Sequence, residues 1–188
     1  MRHEEMVFSG FGGQGVLFAG QLLAYAGIAE DLYVTWFPSY GPEMRGGTAN
    51  CTVILSEAEI GAPVVRHPSI AVVMNIPSME KYEPLVQPGG LLLVNSSLVE
   101  QKSQRDDIQV VYVPASDIAT ELGNVRMANM VLLGALVTLM REKAPPGLVS
   151  LETVMAQLDE HLSERQRKWL EPNYEALRRG AELVQQPA

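Results

Sequence analysis

The hydrophobic pattern opens with a short apolar run, Met6-Val7-Phe8-Ser9, then six residues from Gly10 to Gly15, then a stretch at 16–29 that is apolar almost throughout. The first run has the length of a strand and the second the length of a buried helix. Strand, glycine-rich turn and helix in that order predict the opening of a βαβ unit. Tyr33-Val34-Thr35-Trp36-Phe37 is β-branched and aromatic and predicts a second strand. A polar loop rich in glycine and proline follows at 38–47. Residues 48–56 alternate apolar and small polar positions, which predicts a strand with two different faces. The run 70–74 is continuously apolar and suits a strand covered on both sides. Further strands are predicted at 91–95, after the Pro88-Gly89-Gly90 turn, and at 110–113.

Helical signals fill the gaps and then take over. Ser78 reads as the cap of a short helix through Val86, with Glu80 near its positive end. Ser116 reads as the cap of a helix to Leu122. Residues 126–143 predict one long helix, apolar on nearly every face and broken by Pro145-Pro146-Gly147. Ser150 caps a helix to about Leu162, and Ser163-Glu164-Arg165-Gln166 is a capping box that starts another. Pro172 is expected to interrupt that helix, and 173–184 closes the chain. Strands alternating with helices, then a helical tail, predict a Rossmann-like α/β fold: a three-layer sandwich with a mostly parallel sheet and a helical C-terminal part. The reading is of one domain over 1–188, with an α/β core at about 1–144 and the tail at about 148–186.

Composition narrows the function. The net charge of −8 makes nucleic acid an unfavourable partner, because an acidic domain repels phosphate backbones. Cys51 is the single cysteine, so no intrachain disulfide can form, and no zinc or iron–sulfur site can be built from this chain's thiols. His3, His67 and His161 are scattered. The longest apolar stretch, 127–140, is interrupted by Asn129, Gly134 and Thr138 and falls short of the roughly 18 residues of a membrane span. No signal-peptide pattern opens the chain. A cytoplasmic location with no membrane partner is expected. Only 19% of residues are charged, below the usual quarter or so. Together with two helices apolar nearly all round, this predicts apolar surface left over for a partner, and a homodimer when other partners are absent.

Candidate chemistry lies in two loops. Gly10-Phe11-Gly12-Gly13-Gln14-Gly15 fits G-x-G-x-x-G in the expected place, where free N–H groups of the helix start point at an anion. The competing reading is that the glycines serve only close strand–helix packing and a subunit contact. The acid expected at the end of the second strand for ribose binding is missing: Glu30 and Asp31 precede that strand, and Phe37-Pro38-Ser39-Tyr40 ends it. Ordinary NAD or FAD binding is therefore not expected. In the second loop, Arg45 stands among small residues and can clamp a phosphate or a partner carboxylate bidentately, or else pair with Glu43 as a solvated salt bridge. The candidate binding residues are Gly12, Gly13, Gln14, Gly15, Arg45 and Gly46, with both loops expected at one sheet edge. No catalytic or metal-binding residue is assigned. Cys51, within a strand, reads as a buried inert thiol.

Gly10-Phe-Gly-Gly-Gln-Gly15 together with Pro38-Ser-Tyr-Gly-Pro-Glu-Met-Arg-Gly-Gly-Thr48 resembles the gamma subunit of 2-oxoacid:ferredoxin oxidoreductases. The helix containing Asn129 and Gly134 resembles it too, so the similarity covers most of the chain. The resemblance implies oxidative decarboxylation of a 2-oxoacid, such as pyruvate or 2-oxoglutarate, to an acyl-CoA. It implies thiamine diphosphate, coenzyme A and iron–sulfur clusters in the complex, with none held tightly by this chain. Its implied partners are the alpha and beta subunits, a delta subunit in some assemblies, and ferredoxin through the complex. No Gly-Asp-Gly thiamine signature and no cysteine cluster occurs here, so that chemistry is expected on other subunits. Two other readings stand beside it: a free-standing nucleotide-binding module and a purely structural subunit.

Overall fold

The structure, a computed structural model, describes residues 1–39, 48–143 and 147–185. The candidate residues Arg45 and Gly46 fall in 40–47, outside the described residues. Six strands form one sheet: β1 (His3–Phe11), β2 (Tyr33–Ser39), β3 (Thr48–Ser56), β4 (Ile70–Val73), β5 (Leu91–Asn95) and β6 (Gln109–Val113). Their order is β2-β3-β1-β4-β5-β6. The β1–β4, β4–β5 and β5–β6 pairs are parallel, while β3 runs antiparallel to both of its neighbours. β1 and β2 therefore point the same way but are not adjacent, because β3 lies between them with Phe8 opposite Cys51 and Phe37 opposite Thr52. The expected sandwich with a mostly parallel sheet holds, with one reversed strand inside it.

Alternation along the strands separates two cores. Met6, Phe8, Val72, Leu91 and Leu93 face one way, and Val7, Ala71, Val73, Leu92 and Val94 the other. The first face carries α1 (Val16–Ala29), α3 (Ala115–Glu121), α4 (Ala128–Lys143), α5 (Leu151–His161) and α6 (Leu170–Gln185). The second is covered by α2 (Ile76–Tyr82) and the 3-10 turn Glu83–Leu85. β4 and β5 are buried along their whole length, as their unbroken apolar runs require.

The expectation that α1 and α4 would leave apolar surface for a partner is corrected for α4. From Met127 to Met140 every residue is buried, because the chain's own tail covers α4. α6 lies against it so closely that a Cβ on Gly134 would come 1.9 Å from the Leu177 carbonyl oxygen. Large apolar side chains are exposed at Ile28 near the end of α1 and, away from both helices, at Phe11, Ile76, Leu98 and Val125, with Tyr33 and Phe37 on the open side of β2.

Three local readings also shift. Asn75, not Ser78, caps α2; its side chain accepts the Ser78 N–H at 2.9 Å, with Pro77 in the first turn. Ser116 sits inside α3, held by Asn95, and does not cap it. The capping box at Ser163 starts a 3-10 helix (Glu164–Trp169), and Pro172 falls in the first turn of α6, where its missing N–H costs nothing. Ser150 does cap α5.

Candidate functional site

The chain winds away from β1 in two directions. α1 leaves on one face towards β2, while β4 beside β1 leads to α2 on the other face. Loops that diverge in this way open a crevice beyond the C-terminal ends of the strands. A cavity of about 240 Å³ lies there, lined by Gly13, Gln14, Met74, Ser116 and Arg126 among others.

The loop after β1 is built by short-range bonds. Gln14 folds back: its N–H donates to the Phe11 carbonyl at 3.1 Å, and its Oε1 accepts the Phe11 N–H at 2.6 Å. That uses the side-chain oxygen for the loop itself. Gly13 (φ +93°) and Gly15 (φ +74°) adopt backbone conformations that L side chains rarely take. Gly15 caps α1 with no side-chain bond, and no acidic residue stands in the first turn. The first helical bond is from Ala19 N–H to the Gly15 carbonyl, so the N–H groups of Val16, Leu17 and Phe18 have no helical partner. They form the positive end of the helix dipole. Asn129, buried at the start of α4, donates to the Gly15 carbonyl at 3.0 Å and fixes this end of α1 against α4.

Arg126 is the residue that sequence reasoning missed. It was expected inside a long helix, but the 3-10 turn Val125–Met127 precedes α4, and Asn124 caps that turn by accepting the Arg126 N–H at 3.1 Å. The Gly123-Asn124 stop followed by a second cap was the available signal. The turn puts Arg126 at the crevice, exposed, with no partner for its guanidinium among the described residues. No carboxylate lines this crevice among the described residues, whereas three others each carry a glutamate. In a chain of net charge −8 that selects for an anion. Ser39 and Thr48, which flank the segment bearing Arg45 and Gly46, end β2 and begin β3 at this same edge.

Other chemistry is poorly served. Burial pushes the Cys51 thiol up to about 12, against a weak opposing pull from the Trp36 indole, whose nitrogen makes no regular hydrogen bond. A thiol so held is neither nucleophile nor metal ligand. Among the described residues no group of three or more His, Cys, Asp or Glu could hold a metal ion. With one cysteine in the sequence, the donor set does not fit an iron–sulfur cluster. No helix of the described residues is long and apolar enough to cross a membrane.

A glycine loop after the first strand, an uncapped helix start and a switch-point crevice are the features of a Rossmann-like α/β domain. The family model of pyruvate ferredoxin/flavodoxin oxidoreductase matches residues 5–183, and the chain belongs to that family. It is 38% identical over 138 residues to ketoisovalerate oxidoreductase subunit VorA of Methanothermobacter marburgensis, covering 73% of this chain but 29% of that protein. The chain thus spans less than a third of that relative. It is also 38% identical over 140 residues to 2-oxoglutarate synthase subunit KorC of the same organism, covering 71% of this chain and 75% of KorC. Among solved structures, the keto/oxoacid ferredoxin oxidoreductase gamma subunit from Geobacter sulfurreducens superposes with a TM-score of 0.80 at 29% identity, over 96% of this chain and 98% of that one.

Proposed function

We propose that this chain is the gamma-type subunit of a 2-oxoacid:ferredoxin oxidoreductase and that its switch-point crevice holds a phosphate of coenzyme A. Thiamine diphosphate and the iron–sulfur clusters of such an enzyme sit on other subunits in this reading, since neither set of ligands is present here. The observation that carries the proposal is the crevice itself: Gly13 and Gln14, just before the uncapped start of α1, and the unpaired Arg126 line it together, with no carboxylate among the described lining residues. Gly12, Gly13, Gln14 and Gly15 supply bare backbone, and Arg45 and Gly46 belong to the sequence between Ser39 and Thr48, which both stand at this edge. A helix N-terminus with a guanidinium beside it is suited to a phosphate, which accepts from both.

The test is Arg126→Gln in the assembled enzyme. The expected result is a KM for coenzyme A raised about tenfold, as for loss of one charge-assisted bond, with the KM for the 2-oxoacid and the subunit composition unchanged. An unchanged coenzyme A KM overturns the phosphate role. A second reading is favoured by the exposed Phe11, Ile76, Leu98 and Val125 at or near this edge, which suit a docking face for another subunit. Loss of assembly in Leu98→Asp with coenzyme A dependence retained in residual complex supports that reading instead.

A further inference from the structure

Two strands end the sheet, and they are guarded differently. β6 has charged groups at hand: the Lys102 ammonium lies 3.8 Å from the Tyr112 ring centroid, and Arg105 pairs with Asp107 just before the strand. β2, which reads Tyr33-Val34-Thr35-Trp36-Phe37-Pro38-Ser39, has no charged residue along its length. An uncharged, apolar edge is a template for a further strand. Among the described residues no strand pairs with its open side.

Alternation across the sheet fixes which backbone groups face outward. The Glu57 N–H donates to the Arg2 carbonyl on the β1 side, so the backbone of Ser56, one residue earlier, turns towards β2. Ser56, Ile54 and Thr52 stand opposite Tyr33, Thr35 and Phe37. Those three residues of β2 therefore direct their backbone groups at β3, and Val34 and Trp36 present theirs to the open side. Pro38 falls in the outward series, where the sheet does not need the N–H it lacks. At the other end, Leu32 gives its N–H to the Gly27 carbonyl at 3.1 Å. The free ladder is thus bounded by a proline on one side and an occupied donor on the other. Side chains follow the same parity. Val34 and Trp36 lie on the α1 face, opposite Leu55 and Val53. Tyr33, Thr35 and Phe37 lie on the other face, where α2 covers β1 and β4. Tyr33 is 53% exposed and Phe37 63%, so two aromatic rings stand on one open face with Thr35 between them.

We infer that β2 pairs with the β2 of a second copy of this chain, antiparallel about a two-fold axis at Thr35, which joins two six-stranded sheets into one. The register closes on itself. Val34 and Trp36 exchange N–H···O=C bonds with Trp36 and Val34 of the second copy, Thr35 meets Thr35, and Tyr33 stands opposite Phe37 on each side of the axis. Aromatic rings opposed in this way on one face pack against each other. Charge also favours a second copy at this place. Two chains of net charge −8 repel each other in general, and β2 brings no carboxylate to the junction.

Sedimentation of the full chain tests the pairing, and substitutions at the axis read its register. The wild-type chain is expected to sediment as a dimer. Thr35→Lys sets like charges directly opposite each other and raises the dissociation constant at least about a hundredfold. Thr35→Glu alone does the same. An equimolar mixture of the two variants restores the dimer, which also shows that both fold. Thr35→Cys forms a reducible cross-link on mild oxidation, because residues opposed in such a pair bring their Cβ atoms close to disulfide range. The buried Cys51 takes no part in it. A wild-type chain that stays monomeric overturns the inference. So does a dimer that survives Thr35→Lys, or one in which Thr35→Cys does not cross-link. If the lone chain is monomeric and Thr35→Lys instead prevents its assembly with other subunits, the edge belongs to one of them and the pairing of copies is overturned.

Discussion

Glycines at two places in this molecule do opposite things. At the crossing of α4 and α6, a Cβ on Gly134 would lie 1.9 Å from the Leu177 carbonyl oxygen, and one on Gly180 would lie 1.9 Å from the Val131 carbonyl oxygen. Neither residue has a positive φ, so what is needed there is only the missing side chain. At the glycine loop, Gly13 has φ +93° and nothing within 4 Å of its notional Cβ, so what is needed is only the conformation. The tail glycines let two backbones touch and seal the apolar α4. The loop glycine keeps a bare backbone beside open space. Gly15 combines the two demands, with φ +74° and Asn129 Nδ2 2.4 Å from where a Cβ would stand.

The tail gives the largest expected effect. Gly134→Ala and Gly180→Ala each push backbone against backbone, and the helices must separate along their contact. A loss of about 3 kcal/mol or more is expected from denaturant unfolding of either variant, at the upper end of overpacking costs. Unchanged stability in either one breaks the contrast, because the crossing would then have room it does not show.

Gly15→Ala is expected to cost less, about 2 kcal/mol, from backbone strain plus the clash with Asn129. The clash can be removed independently. In an Asn129→Ala background the further cost of Gly15→Ala is expected to fall to the strain alone, about 1 kcal/mol. A cost that is the same in both backgrounds shows that Asn129 yields freely and that Gly15 is kept for its conformation only.

Cys51 carries a pH-dependent effect. A Cβ on Gly20 would come 2.5 Å from its sulfur, so α1 sits directly on the thiol and keeps water from it. Burial raises its pKa from 9.0 to about 12 in the folded chain. The sign follows from the protonated form being the one the fold prefers. The contribution is fully present below about pH 9 and is lost as pH rises towards 12, at a slope of about 1.4 kcal/mol per unit. Comparing wild type with Cys51→Ala by urea unfolding across that range isolates it: the difference between their slopes should be close to this value. Equal slopes show that the thiol is hydrated and that α1 does not seal it.

Much of the fold was legible in the sequence because local pattern and burial agree there. The bounds of α1, β3 and β5 follow from nearly continuous apolar runs or alternation between turn residues. The strand order was not legible, since the pairing of Phe8 with Cys51 joins residues far apart in sequence, and alternation in 48–56 gives two faces but no neighbours. The fate of α4 was hidden for a related reason. An all-round apolar helix predicts burial, but the covering surface came from Gly180 and its neighbours, and small residues on a polar helix give no hydrophobic signal. At the site, Gly12–Gly15 announced themselves by motif. Arg126 did not, because its place at the crevice depends on a single 3-10 turn that precedes α4.

The smallest stability effect is expected at Gly13, and it sharpens the comparison most. No atom stands within 4 Å of the position a Cβ would occupy, so Gly13→Ala meets no steric opposition and loses only conformational ease, about 1 kcal/mol. Asparagine tolerates positive φ better than alanine, so Gly13→Asn should lie between the two in stability even though its side chain is larger. Size and stability then run in opposite order, which no packing site allows. Both side chains project into the space beside the crevice that Gly13 lines. Pyrophosphate binding, followed by calorimetry, should therefore fall by more in Gly13→Asn than in Gly13→Ala, while unfolding ranks them the other way. If binding and stability instead fall together and in the same order, the loop glycine is a packing residue like those of the tail.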